Sequence, residues 1–161
     1  MWVIDSSSII EIKPKVPKTH RDGVIGELEK LIVSGNLVYP SQVVTELEDD
    51  DTFADFVKKH KAQATRHGPL FEQVKELLKD AQIKRVLDHT KVGKDEADPY
   101  LLALALHLKA QAIDVTLITE EKRDRPDKLS LSSACGIKRV YCVPILPFLE
   151  QRGIYPRPTP P

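Results

Sequence analysis

Carboxylates standing at the ends of apolar segments are the feature of this sequence that could do chemistry. Trp2-Val3-Ile4 ends on Asp5, Glu46 lies beside Val43, Val44 and Leu47, and Val115-Thr116-Leu117-Ile118 runs into Thr119-Glu120-Glu121. A fourth acidic stretch, Gly93-Lys94-Asp95-Glu96-Ala97-Asp98, leads into an apolar helix. Carboxylates gathered in one cleft repel each other and stay ionised together only if a cation joins them. Oxygen ligands without His or Cys select a hard ion, Mg2+ or Mn2+. Such an ion is usually completed by water and substrate phosphates, so the chemistry implied is metal-assisted attack of water on a phosphodiester. Each acid also has an ordinary reading. Asp98 before Pro99 has the form of a helix N-cap followed by proline at the first helical position, and Glu46 can snorkel from an apolar stripe to water. Capping occupies one carboxylate oxygen and leaves the other free.

The elements that must position these acids follow from periodicity. Strands are expected at residues 2–4, 37–39, 83–87, 115–118 and 140–143, and helices at 22–34, after Pro40-Ser41, at 53–66 and 69–80, from Asp98, and at 129–135. Ser6-Ser7-Ser8 suits a turn that starts a helix, and Pro14 and Pro17 argue for a loop over residues 12–20. Strands alternating with helices indicate an α/β domain with a mostly parallel sheet and helices on both faces. In that class, ligands bind outside the carboxyl ends of the strands, where strand order reverses. The rule puts Asp5, Ser41, Glu46, Thr119, Glu120 and Glu121 at one edge of the sheet. It does not place Asp98, which opens a helix leading into a strand and is expected on the strand-start side. If the chain stays extended beyond Ile118, Thr119 and Glu121 face one way and Glu120 the other. Glu121 is then the acid in the site, and Glu120 pairs with Lys122 or Arg123.

The remaining composition is ordinary for a globular protein: 161 residues, 41% hydrophobic and 30% charged. A single domain over residues 1–153 with a proline-rich tail over 154–161 accounts for it. No apolar run approaches the length of a membrane span and no secretory leader is recognisable, so a cytoplasmic protein without a membrane partner is expected. Lys+Arg and Asp+Glu are both 24. With no net charge, nucleic acid must be bound by local patches, and Lys13, Lys15 and Lys18 near one strand exit and Lys122, Arg123 and Arg125 near another are the candidates. Cys135 and Cys142 read as buried, reduced thiols.

Val3-Ile4-Asp5-Ser6-Ser7, Val44-Thr45-Glu46-Leu47, Asp98 with Ala103 and Ala105, and Thr119-x-Glu121 resemble, in order and spacing, the four acidic blocks of the PIN-domain nucleases. The resemblance covers nearly the whole chain. It is nearest to a prokaryotic PIN-like branch of unknown function related to the toxin ribonucleases of toxin–antitoxin pairs. It implies a three-layer α/β/α fold around a five-stranded parallel sheet. By the same resemblance Asp5, Glu46, Asp98 and Glu121 hold one or two Mg2+ or Mn2+ ions, Ser7 and Thr119 orient them, and the activity is that of an endoribonuclease. An antitoxin partner and a homodimer also follow from it. Two positions depart from the family pattern, Glu121 where Asp is commoner and Ser7 where Asn is common. The alternative is a catalytically weak or inactive PIN-like module that binds RNA or protein. A haloacid-dehalogenase-like phosphatase needs a second Asp where this chain has Ser7, and no glycine-rich phosphate loop is present.

Overall fold

The structure is a computed structural model that describes residues 1–48, 52–88 and 96–156. Four strands form one sheet among these residues: β1 (Trp2–Ile4), β2 (Leu37–Val38), β3 (Thr116–Ile118) and β4 (Tyr141–Val143). All neighbours are parallel, in the order β2-β1-β3-β4, with Trp2 opposite both Leu37 and Thr116 and Thr116 opposite Tyr141. The helices are α1 (Ser6–Lys15), α2 (Lys18–Val33), α3 (Ser41–Glu46), α4 (Asp55–Lys59), α5 (Lys61–Ala64), α6 (Phe71–Leu77), α7 (Ala81–Lys84), α8 (Ala97–Ala110), α9 (Leu131–Ile137) and α10 (Ile145–Gln151).

The chain steps from β1 to β2 in one direction and from β2 across β1 to β3 and β4 in the other. With right-handed crossovers, that reversal puts α1 and α2 on one face and α8 and α9 on the other. The packing agrees: α1 touches α2 and α10, while α8 touches β1, β3 and α9. Helix α3 touches both α1 and α8 and so sits at the rim between the faces. This arrangement is consistent with three layers around the sheet. Its switch point lies between β1 and β3, where an open parallel sheet leaves a crevice.

Helix α8 is the centre of one layer because it is apolar almost all round, with Leu101, Leu102, Ala103, Leu104, Ala105 and Leu108 all buried. Helix α2 ends in a Schellman turn, where the N–H groups of Gly35 and Asn36 return to the carbonyls of Ile32 and Leu31 at 3.0 and 2.9 Å. Gly35 has φ +78°, the left-handed region that favours glycine, and a Cβ there would only push aside the flexible end of Arg66, 2.6 Å away. The turn delivers the chain into β2.

Several expectations change. The expected strand at 83–87 is absent, and the sheet has four described strands instead of five. Asp80 caps the start of α7 by accepting the Gln82 N–H at 3.0 Å, and Ile83 and Val86 are buried at helical spacing. A short apolar run does not by itself distinguish the two conformations. Residues 12–20 are largely helical too. Pro14 sits in the last turn of α1, where it removes only one hydrogen bond, and Ile9, Ile12 and Val16 form a buried face. Only Val16 and Pro17 separate α1 from α2. The two helices expected over 53–66 and 69–80 are broken into α4, α5 and α6, and α10 adds a helix after Pro144 that periodicity does not predict. Ile154 is buried, with its N–H on the Leu149 carbonyl at 2.8 Å. The acidic run at 49–51, Gly93 to Asp95 and the tail from residue 157 lie outside the described residues.

Candidate functional site

Asp5 leaves β1 with its N–H on the Ile118 carbonyl at 2.9 Å, so the ladder carries one residue past the strand. Its own carbonyl starts α1, accepting the Ser8 and Ile9 N–H groups, while its side chain makes no capping bond. That leaves the carboxylate free for the crevice. Ser7 Oγ and Thr119 Oγ1 both donate to Asp5 Oδ2, at 2.7 and 2.9 Å, and Ser6 Oγ lies 3.3 Å from Oδ1. The triple serine is thus divided. Ser6 and Ser7 serve the site, and Ser8 Oγ is buried without a hydrogen-bond partner among the described residues.

Glu46 closes α3 at the rim. One of its oxygens accepts the Ser6 hydroxyl and the other the Ala97 N–H at 3.0 Å, which ties α3 to the start of α8. Asp98 is not the cap of α8. Glu96 holds the N-cap position, its side chain turned to accept the Asp88 N–H at 2.9 and 3.0 Å, and Asp98 is the second helical residue. The expectation that Asp98 falls on the strand-start side is also wrong. A helix that leads into a parallel strand runs antiparallel to it, so its first turn stands at the carboxyl edge of the sheet. There Asp98 is buried, with its Oδ2 2.9 Å from the Lys128 ammonium.

After β3, the Thr119 N–H donates to the Val143 carbonyl at 3.0 Å, and its hydroxyl accepts the Glu121 N–H at 3.1 Å. Glu121 and Glu120 diverge. Glu121 Oε1 takes the same Lys128 ammonium at 2.9 Å. Glu120 instead accepts the Ile145 N–H, at the start of α10, at 2.6 Å and pairs with Lys15 at 2.8 Å. Its cation is therefore Lys15 on α1, not Lys122 or Arg123. The expected extended alternation is not what separates the two glutamates: the Thr119 hydroxyl bond to the Glu121 N–H is that of a Ser/Thr turn beginning at Thr119, and the Glu120 partners come from α10 and α1.

The electrostatics follow from this crowding. Burial lifts the Asp5 carboxyl above its ordinary value, the Ser7 and Thr119 hydroxyls oppose it, and the charges of Glu46 and Glu121 add to the rise. Burial, then the charges of Asp5 and Glu121, push Asp98 well above the usual range against the pull of Lys128. For Lys128, burial favours loss of the proton, but Asp98 and Glu121 outweigh it and hold the ammonium above the normal lysine range. Shared donors tie the four acids into one cluster beyond the carboxyl ends of β1 and β3: Ser6 lies between Asp5 and Glu46, Thr119 between Asp5 and the Glu121 N–H, and Lys128 between Asp98 and Glu121.

The donor chemistry suits a hard divalent ion, since every ligand atom is a carboxylate or hydroxyl oxygen. The arrangement as it stands does not close around one. Among the described residues no three His, Cys, Asp or Glu side chains converge tightly enough to share a metal ion. Lys128, the Ser6 hydroxyl and the Ala97 N–H satisfy the carboxylates instead.

Lys128 is the site residue that sequence reasoning misses. It ends a charged loop and directly precedes Leu129-Ser130-Leu131, all buried. A lysine abutting a buried run must lead its stem inward, which is the signal it offers. Of the basic residues expected to meet nucleic acid, Lys15 is held by Glu120, and Arg125 pairs with Asp88 at 2.8 Å. Lys18, Lys122 and Arg123 are exposed, and Lys13 lines a surface groove with Asp22, Glu29 and Lys59. Cys135 is buried and Cys142 half-buried, both as free thiols.

Fold and site together define a parallel α/β domain with an acidic crevice at the point where strand order reverses. The chain belongs to the family described as Domain of unknown function (DUF4411), whose model matches residues 2–155. No curated protein and no solved structure matches it.

Proposed function

We propose that this chain is a metal-dependent endoribonuclease of the PIN kind, hydrolysing RNA phosphodiesters at the crevice between β1 and β3. What carries the reading is that four acids from separate stretches of the chain, Asp5, Glu46, Asp98 and Glu121, are tied into one cluster by Ser6, Thr119 and Lys128. These four would hold Mg2+ or Mn2+, which supplies an activated water and neutralises charge on the phosphate. The chain's own groups do the positioning. Ser7 and Thr119 hold the Asp5 carboxylate, and Thr119 also fixes the chain at Glu121. In the reaction the water oxygen would bond to phosphorus as it gives up a proton, one P–O ester bond would break, and the leaving oxygen would take up a proton to become a hydroxyl. A cytoplasmic setting, an antitoxin that brings Lys or Arg to the acids, and a homodimer belong to the same reading. Among the described residues no helix is long and apolar enough to cross a membrane.

One observation favours a second reading, an inactive module that binds RNA or protein: the ammonium of Lys128 stands among the carboxylates where an ion would be needed. Incubating the protein with a panel of single-stranded and structured RNAs, with and without Mn2+, separates the two. Mn2+-dependent cleavage is expected. Binding without cleavage at any Mn2+ concentration selects the second reading.

Two further outcomes are expected. Glu121→Gln lowers cleavage at limiting Mn2+ and is partly restored by excess Mn2+. Glu120→Gln leaves cleavage near wild type and costs about 1 kcal/mol or less, since it weakens a partly exposed ion pair and retains an acceptor for the Ile145 N–H. A Mn2+ titration of both variants checks this, and the reverse pattern would remove Glu121 from the site. The exposed pair Lys122 and Arg123 is expected to meet phosphate. Replacing both with alanine should flatten the salt dependence of single-stranded RNA binding by about 0.7 units for each phosphate no longer neutralised, read by fluorescence anisotropy. An unchanged slope would make them a solvated loop.

A further inference from the structure

We propose that Lys128 is the resident cation of the acidic site: its ammonium and a divalent ion compete for Asp98 and Glu121, so the crevice is closed from within until metal enters. The inference rests on the metal-binding reading above and adds a residue to it. Lys128 is buried, and its ammonium lies 2.9 Å from Asp98 Oδ2 and 2.9 Å from Glu121 Oε1. Among the described residues the donors to the other two acids are neutral: Asp5 accepts from Ser6, Ser7 and Thr119, and Glu46 from Ser6 and the Ala97 N–H. Among the described residues Lys128 is therefore the cation in direct contact with the acidic cluster, through two of its four carboxylates. Removing one partner of a buried pair leaves an uncompensated charge, so the closed form stabilises the metal-free chain.

The loop that carries Lys128 is built to hold it in place. Arg125 and Lys128 exchange backbone hydrogen bonds at 2.8 and 3.2 Å, and the Leu129 N–H donates to the Arg85 carbonyl at 2.7 Å. Asp124 accepts the Ser130 N–H at 2.8 Å, and Ser130 caps α9 through the Ser133 N–H at 3.1 Å. With the backbone pinned at both ends, displacement is confined to the four-carbon stem. The freed ammonium stays at the rim of the crevice, where it suits a phosphate as a compact point charge. A divalent ion carries twice the charge it replaces, which gives the exchange its direction in a cluster of like charges. What an antitoxin's basic side chain would do from outside, Lys128 does from within the chain.

The test uses the full chain with Mn2+ as the probe, in wild type, Lys128→Met and Lys128→Arg. By isothermal titration calorimetry, Lys128→Met is expected to bind Mn2+ at least about tenfold more tightly than wild type, while Lys128→Arg retains the weaker binding. The metal-free melting temperature of Lys128→Met should fall and be recovered by Mn2+. In wild type, reductive methylation followed by mass spectrometry should label Lys128 several-fold faster with Mn2+ than without, with Lys122 unchanged. Equal or weaker Mn2+ affinity in folded Lys128→Met, or Lys128 protection unaltered at saturating Mn2+, overturns the proposal and leaves ion binding intact. Absence of Mn2+ binding in every variant overturns the proposal and the metal reading together. The methylation arm decides the matter if Lys128→Met does not fold.

Discussion

Asp5→Asn and Asp98→Asn are each expected to reduce Mn2+-dependent RNA cleavage by more than the roughly 10–100-fold that a change in the groups supporting a metal ligand costs. Both substitutions remove one charge and almost no volume. The amide oxygen at position 5 can still accept from Ser7 and Thr119, and that at position 98 can still accept from Lys128, which keeps Glu121 as its charged partner. Burial disfavours the ionised form of both carboxyls, so the Asp5 amide should leave the metal-free fold intact, while the Asp98 amide removes one of the two charged partners of Lys128 and should lower the melting temperature slightly. The expected pair of results is lost cleavage with a melting temperature at or near that of wild type. Metal-independent cleavage that survives both substitutions would end the nuclease reading, and a collapse of the fold would mean that the charges themselves hold the crevice together.

These two acids are legible in the sequence to different degrees. Asp5 follows from the topological rule alone, since a buried strand ending in an acid puts that acid at the carboxyl edge. Glu121 is singled out by assuming an extended chain, and the structure instead turns at Thr119, whose hydroxyl accepts the Glu121 N–H, yet the two glutamates still part, Glu121 to Lys128 and Glu120 to Lys15. Asp98 needs the family resemblance, because the topological rule speaks of strand ends and says nothing of the direction of α8. A helix antiparallel to the strand that follows it presents its first turn to the edge where the preceding strand ended. Lys128 is hidden for another reason: it lies in a charged loop without periodicity, and its inward course is set by Asp98, thirty residues earlier in the chain. The helix at Ala81–Lys84 escapes a reading by periodicity because Ile83, Val86 and Leu87 fit a short strand as well as a helical face, and only the Asp80 cap tells them apart. Pro14 misleads because packing overrides the usual cost of proline inside a helix. At the last turn of α1 it costs one hydrogen bond, against the buried face of Ile9, Ile12 and Val16.

Thr119→Val is expected to lower cleavage by roughly 10–100-fold, although Thr119 is not itself among the four acids. Its hydroxyl is buried and does two things at once, donating to Asp5 Oδ2 at 2.9 Å and accepting the Glu121 N–H at 3.1 Å. One oxygen therefore joins the acid after β1 to the acid after β3, across the switch point. Valine keeps the branched shape that suits an extended residue and fills the same space, so packing changes little. What disappears is both hydrogen bonds. Asp5 keeps its serine donors, and the half-buried Glu121 N–H loses its partner, so two hydrogen bonds worth about 0.5–1.5 kcal/mol each are lost. That corresponds to a fall of several degrees in melting temperature for a chain of this size. Thr119→Ser retains the hydroxyl and should recover most of the cleavage, even where removal of the methyl group costs some stability. Rescue by serine together with loss in valine assigns the effect to the shared hydroxyl. If valine cleaves as well as wild type, Asp5 and Glu121 are held by their other hydrogen bonds and the threonine is only part of the core.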